Sequence, residues 1–394
     1  MPKGWGRFMK NRFHLFVIFS LFLIFSKLSA QVDTLWTRRF GGEGWDFGES
    51  VQQTIDGGYI ITGVTGADIE HVSDVYLVKT DSAGFAQWIK SIGRSQTQGR
   101  DYGLSVHQTE DTGYIITGFT MLPDEGKLLD LYLIKTDESG DTVWTRTFGD
   151  SLNESGQSVR QTVDGGYIAA GYTYSYGKGG SDFLLVKTDA SGDVEWMRTF
   201  GGMLDEMGFS VQQTLDGGYI LVGNTSSFGA GEFDVYLVRT DESGDTLWTR
   251  TYGGVRDDHG FSVEQTSSGG YIITGQTESY GAGDFDVYLI RTNESGDTLW
   301  TRTFGGLSVD AGFSVTESIE GGFVITGKTM SFGGGDDDIY LIKTDDSGNT
   351  IWTWALGGTL DEAGRSVRET TDGGYIISGN FRPCCFYRQK RSGR

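Results

Sequence analysis

Seven tryptophans recur along the chain, at Trp36, Trp88, Trp144, Trp196, Trp248, Trp300 and Trp352. Five of the six intervals are 52 residues and the one from Trp88 to Trp144 is 56. The words around them repeat as well, as in Asp245-Thr246-Leu247-Trp248-Thr249-Arg250 and Asp297-Thr298-Leu299-Trp300-Thr301-Arg302. A second phrase keeps the same beat, at Gly166-Tyr167-Ile168, Gly218-Tyr219-Ile220 and Gly270-Tyr271-Ile272. A fixed period of this size marks one supersecondary unit copied in tandem, each copy burying its apolar face against the next.

The copy from Gly208 to Gly254 reads as four short strands. Ser210-Val211-Gln212-Gln213-Thr214 is mostly polar, and Asp216-Gly217 after it is a strong hairpin signal. Tyr219-Ile220-Leu221-Val222 and Val235-Tyr236-Leu237-Val238 are apolar on both alternating faces, so both should be covered on two sides. A turn at Asp241-Glu242-Ser243-Gly244-Asp245 leads to a wetter strand, Leu247 to Tyr252. No repeat carries a 3.6-residue period over ten residues, which argues against a helical solenoid. A polar inner strand, two covered strands and an amphipathic rim strand predict an all-β fold, a seven-bladed β-propeller of four-stranded antiparallel blades spanning 31–380.

Counting strands exposes a gap. The Trp, polar and Gly-Tyr-Ile strands each occur seven times, but the Val-Tyr-Leu strand occurs six times. The first Trp strand, Thr34 to Phe40, precedes every other element, so it is expected to close the ring as the rim strand of the last blade, beside Arg365 to Asn380. That blade is expected to lack its third strand. Residues 381–394 leave the repeat and turn basic, with Cys384 and Cys385. They read either as a poor substitute strand over Cys385 to Gln389 or, the preferred reading, as an out-of-frame or truncated end.

Residues 1–30 stand apart. Lys3, Arg7, Lys10 and Arg12 precede an apolar run from Leu15 to Phe25, and Leu28-Ser29-Ala30 offers a small-residue cleavage site. This predicts a secretory signal peptide. Gln31 stands where a lipid anchor would need Cys, so release is expected. The chain holds 32 Lys+Arg against 53 Asp+Glu, a net charge of −21. Ten of those basic residues sit in 1–30 and 381–394, where there is no acid, so the body is more negative still. Such a surface repels nucleic acid and anionic membranes and leaves a neutral or cationic extracellular polymer or protein as partner. No membrane span follows the leader, the body lacks cysteine, and a monomer is expected.

The block Val235 to Gly254, with Thr240, Asp241, Gly244 and Trp248 spaced as Thr-Asp-x-x-Gly-x-x-x-Trp, resembles the repeat of secreted bacterial and archaeal β-propellers of the quinoprotein alcohol dehydrogenase-like superfamily. The likeness covers nearly all of 31–380 and implies the propeller fold. It departs from that family in the spacing of the Asp. The calcium-binding and base carboxylates that a quinone site needs do not map onto this chain, and the adjacent Cys384 and Cys385, similar to the vicinal pair of some quinoproteins, lie in the tail.

Loops before the polar strands and before the Val-Tyr-Leu strands should share one face. The first set is acidic, with Asp205, Glu206, Asp257, Asp258, Asp310, Asp361 and Glu362. The second set carries rings at Tyr174, Tyr176, Phe228, Tyr280 and Phe332. Carboxylates beside exposed rings suit sugar recognition, whereas packing of rings on their own loops and capping of turns by the acids is the structural alternative. The Asp241 to Asp245 turn on the opposite face offers clustered oxygens to Ca²⁺, against ordinary turn chemistry. His71, His107 and His259 stand in different repeats, and no Ser-His-Asp, zinc or phosphate-loop pattern appears. The repeats differ most at 66–73, 94–101 and 121–129, where a specific site would stand out. The expected function is a non-catalytic binding or surface-interaction module for a glycan or another extracellular polymer. The alternative is an extracellular hydrolase or quinoprotein-like dehydrogenase.

Overall fold

The computed structural model describes residues 32–41, 46–66, 73–93, 99–121, 128–380 and 386–391. Among them 28 β-strands, numbered β1 to β28 in chain order, pair into seven four-stranded antiparallel sheets. Six sheets are uninterrupted repeats of four consecutive strands, such as β14 (Glu206–Gln213), β15 (Tyr219–Thr225), β16 (Asp234–Thr240) and β17 (Thr246–Tyr252). The two middle strands are buried throughout, and the Trp-bearing strand is half exposed at the rim.

The remaining sheet corrects the expected architecture. It is not a seventh 52-residue repeat with a gap. It is a composite in the order β26 (Ala363–Glu369), β27 (Tyr375–Asn380), β28 (Phe386–Arg391) and β1 (Val32–Arg38). β28 comes from the basic tail and supplies the third strand that the repeat pattern lacks here, pairing with β1 from Arg391↔Val32 to Phe386↔Arg38. The Val-Tyr-Leu pattern does not recur in this sheet. A strand position is filled by main-chain hydrogen bonding, which a tail of unrelated side chains also satisfies.

Three interactions join neighbouring blades. Each of the seven recurring tryptophans stands edge-on or tilted against the aromatic that opens the second strand of the next blade, as in the edge-on pair Trp196–Tyr219 with ring centroids 5.8 Å apart. Trp36 does the same with Tyr59 at 5.9 Å, so the first rim strand packs on the first complete blade. Six of these indoles, Trp36 through Trp300, also meet a glycine turn of the next blade. A Cβ added to Gly244 would fall 2.7 Å from Trp196, and φ of +78° there requires glycine in any case. Asp241 shapes that turn, its Oδ1 accepting the N–H groups of Ser243 and Asp245 at 2.9 Å each. The Asp-x-x-Gly-x-x-x-Trp motif is therefore an interblade joint, one blade's turn seated on the previous blade's indole.

The third interaction lies at the channel. Gln53, Gln108, Gln161, Gln213, Gln265, Glu317 and Glu369 end the polar strands. Each accepts the N–H of a hairpin residue in the preceding blade, at 2.7–3.0 Å. The bond from Thr371 N–H to Gln53 Oε1 spans 318 residues and closes the ring. Core clusters likewise straddle neighbours, with Ile168, Phe183 and Leu185 packed against Val211, Leu221 and Val238. Each of these exposed hydrogen bonds contributes about 0.5–1 kcal/mol net, and each aromatic pair about 1 kcal/mol beyond its buried area.

Truncation after Asn380 removes β28 and leaves β1 without a pairing partner. We expect the thermal midpoint to fall on the order of 5 °C or more and limited proteolysis to cut first near residues 32–38, with the other six sheets protected longer. An unchanged midpoint and cleavage pattern would show that the composite sheet carries no stability.

Candidate functional site

The polar strands carry Ser-Val-x-Gln/Glu in every blade, and each touches its counterparts on both sides, so together they line a central channel. Every one has a bulge between its Gly and Ser, as at Gly208/Ser210 and Gly260/Ser262. A bulge re-aims one side chain. The bulged residues are Glu49, Leu104, Gln157, Phe209, Phe261, Phe313 and Arg365. Phe209, Phe261 and Phe313 form an aromatic wall with ring centroids 5.4 and 5.6 Å apart, and Arg365 lies 4.8 Å over Phe313. Nearer the hairpin turns a second register holds Gln52, His107, Arg160, Gln212, Glu264, Thr316 and Arg368. Six of these seven, with Thr316 the exception, line a cavity of ≈ 390 Å³ together with their neighbours.

The antiparallel order places the loops before the first and third strands on one face. Tyr176, Phe228, Tyr280 and Phe332 recur there in four consecutive blades, 37%, 43%, 46% and 45% exposed. Each follows a threonine whose Oγ1 accepts the ring residue's N–H at 3.1–3.2 Å, which fixes its entry angle. Phe228, Tyr280 and Phe332 lean on Tyr236, Tyr288 and Tyr340 of the third strand, at 5.5, 5.8 and 5.6 Å. Tyr280 Oη also donates to Gly253 O at 2.8 Å. Tyr174 is half-buried and edge-on to Tyr172. Met203, Leu204, Val255 and Leu307 stand exposed on the neighbouring loops of the same face.

The acids of this face divide. Glu206, Asp258 and Asp310 are fully buried, and Glu362 nearly so. Each accepts the N–H of the residue four positions earlier, Gly202, Gly254, Gly306 and Gly358, at 2.6–2.9 Å. They shape the loops from inside and do not meet solvent beside the rings. Asp205 and Asp257 are half-buried and accept main-chain N–H groups of Ser181 and Phe233. Asp361 is exposed. The Asp241 to Asp245 turn uses its first carboxylate on its own main chain. Among the described residues no group of three or more His, Cys, Asp or Glu is placed to hold a metal ion. Of the three divergent segments, 67–72, 94–98 and 122–127 lie outside the described residues, as do His71, Cys384 and Cys385.

Each buried acid also meets a second one, the aspartate opening the third strand of the preceding blade. A Cβ placed on Gly305 would be 1.8 Å from Asp286 Oδ1 and 2.6 Å from Asp310 Oδ2. Burial, and then the charge of Asp310, push the Asp286 carboxyl above the ordinary range. Asp182 beside Glu206 is raised in the same way. An acid whose folded pKa is raised binds protons more tightly in the fold than in the unfolded chain. Its contribution is complete below the unfolded pKa and is lost as pH rises through the folded value.

The channel registers escaped the reading of the sequence, although a signal was there. Within Gly-x-Ser-Val-x-Gln/Glu the frame is constant between copies, whereas the first x is Glu, Leu, Gln, Phe or Arg and the second is Gln, His, Arg, Glu or Thr. These two positions are the ones that face the channel.

Asp286→Asn removes the repulsion at the Gly305 junction. The variant is expected to melt higher than the parent at pH 7, with the difference shrinking toward pH 4. Thermal unfolding across that range checks it, and a constant difference would contradict the linkage.

No family model matches the chain. Over 221 residues it is 26% identical to the regulatory protein FlaEY of Caulobacter vibrioides (strain ATCC 19089 / CIP 103742 / CB 15). The match spans 46% of this chain and 23% of that protein. Among solved structures, the Pan2 WD40 domain of Neurospora crassa superimposes with TM-score 0.56 at 9% identity, covering 93% of this chain and 97% of that one. Sqt1 from Chaetomium thermophilum does so with TM-score 0.51 at 11% identity, covering 92% and 100%. No helix among the described residues is long and apolar enough to cross a membrane. At these identities the solved structures establish the β-propeller fold and nothing of the chemistry.

Proposed function

We propose that the protein is a non-catalytic binding module that docks a protein partner on the face carrying Tyr176, Phe228, Tyr280 and Phe332. With residues 1–30 read as a leader, the partner is extracellular. One observation carries the reading: four rings in one register, each with its backbone held by a threonine and its side chain partly open to solvent. Three of them are buttressed by a third-strand tyrosine. Rings held in this way lose little entropy on binding, and contiguous exposed apolar surface marks interaction sites. Met203, Leu204, Val255 and Leu307 extend the patch between the rings. A net charge of −21 favours a partner whose apolar contact is surrounded by basic residues.

A glycan is the second reading, favoured by the one-sided stacking surface of the rings. It is weakened by the burial of Glu206, Asp258 and Asp310, which removes three acceptors for sugar hydroxyls.

The test is parallel binding of the purified protein to peptide and glycan arrays, repeated with the Phe228→Ala/Tyr280→Ala/Phe332→Ala variant. We expect selective capture of peptides that combine apolar and basic residues, weakened at least about 30-fold in the variant, since truncating one central aromatic costs about 2 kcal/mol. Selective glycan capture with the same loss would transfer the site to the second reading. Turnover of any arrayed ligand, or binding indifferent to the three rings, would overturn the proposal.

A further inference from the structure

The cavity inside the channel has a chemistry of its own. In its register Gln52 and Gln212 serve as acceptors, taking the N–H groups of Gln108 at 2.7 Å and Gln265 at 2.6 Å in the next blade. Glu264 does likewise for Glu317 N–H at 3.2 Å. Arg160 and Arg368 cannot accept, so in blades three and seven that staple is given up. Arg160 Nη1 donates to Val159 O at 2.9 Å, and Arg368 Nη1 to Val367 O at 2.8 Å with a longer contact to Ser314 Oγ. Each guanidinium has five N–H donors in a planar fork. Among the described residues neither takes part in an ion pair, whereas Lys79, Lys135, Lys187 and Arg239 inside the blades all do.

The two guanidinium groups also feel each other. Burial and then the Arg368 charge lower Arg160 to about 10, and burial lowers Arg368 as well. His107 in the same cavity is pushed down to about 3 by burial and by both arginines, which leaves its imidazole neutral at physiological pH. Glu264 attracts both arginines but is itself raised by burial and engaged by Glu317 N–H. Glu369 lines the wall with its Oε2 taken by Ile319 N–H at 2.8 Å. A protein of net charge −21 thus places two cations with spare donors around a cavity of ≈ 390 Å³. That is within the range of small-molecule sites.

We propose that this cavity binds a small oxyanion, a carboxylate or phosphate group clamped by Arg160 and Arg368. Guanidinium forks match both groups bidentately. The neutral His107 and the amides of Gln52 and Gln212 supply the polar lining. A second cavity lined by Gln52, His107, Gln108, Glu110 and Gln161 adjoins the first toward the hairpin turns. Entry is therefore from the face opposite the rings, and the site stands or falls independently of the docking surface.

The test uses the full chain in calorimetric titration and thermal unfolding with inorganic phosphate, citrate and acetate, each matched in ionic strength with sodium chloride. At least one anion should bind and raise the melting midpoint beyond the chloride control. The comparison of phosphate with the two carboxylates assigns the group. Arg160→Gln and Arg368→Gln should each weaken binding at least 10-fold, and blades one and four already carry Gln in this register, so the fold is expected to persist. Glu264→Gln keeps the acceptor for Glu317 N–H and removes the competing charge, so it should tighten binding several-fold. Arg256→Gln, an exposed surface site, should leave the affinity unchanged. Absence of any anion effect beyond chloride would overturn the proposal, as would affinity indifferent to both channel arginines or lost equally in Arg256→Gln.

Discussion

The joint between neighbouring blades is the contact on which the rest of the molecule depends. A tryptophan at the rim wedges between an aromatic of the next blade and a glycine turn, while at the channel a Gln or Glu side chain takes the N–H of the adjoining hairpin. A single blade is a four-stranded sheet with two apolar faces and no core of its own. Its second and third strands are covered only when a neighbour arrives on either side. Cooperativity therefore runs around the ring, and closure matters because an open ring would expose one complete apolar face at each end. The composite sheet of β26, β27, β28 and β1 supplies that closure with main-chain hydrogen bonds from both ends of the described chain.

The same repetition separates what must stay constant from what is free to vary. The joint uses the outer half of each blade and the ends of its strands, where Trp, Asp and Gly recur almost unchanged. The bulge and the register beyond it point into the channel, where the Trp, Asp and Gly of the joint take no part. There the copies diverge into phenylalanine, arginine, histidine and glutamate. A symmetric scaffold thereby carries an asymmetric interior, with an aromatic wall on blades four to six and arginines on blades three and seven. The rings on one face and the cationic cavity reached from the other form two chemically distinct surfaces of one frame.

Much of the fold was legible in the sequence because the period is 52 residues at five of six intervals and the turn residues have specific mechanisms. Asp216-Gly217 and the Asp241 turn are local conformational preferences, and the strand polarity from Ser210 to Tyr252 follows from alternation. The composition of the last sheet was not legible. Residues 386–391 bear no resemblance to the Val-Tyr-Leu strands they replace, and pairing with β1 is a property of the main chain. Of the candidate site, the rings stand where loop order placed them. Glu206, Asp258 and Asp310 stand inside the loops, because exposure depends on how a loop folds over its own first residue. Nothing in the local sequence distinguishes a buried acid receiving a glycine N–H from one facing water.

The sequence by itself determined the repeated unit, its strand order and the residues that join one unit to the next, since each of these rests on contacts within about fifty residues or on a motif copied at every joint. Only the tertiary structure decided which positions meet across the ring. Arg160 and Arg368 come from blades four apart along the chain and only three apart around the closed ring, and curvature of the whole assembly brings them to one cavity. That curvature is the sum of seven interblade contacts, and no single repeat encodes it.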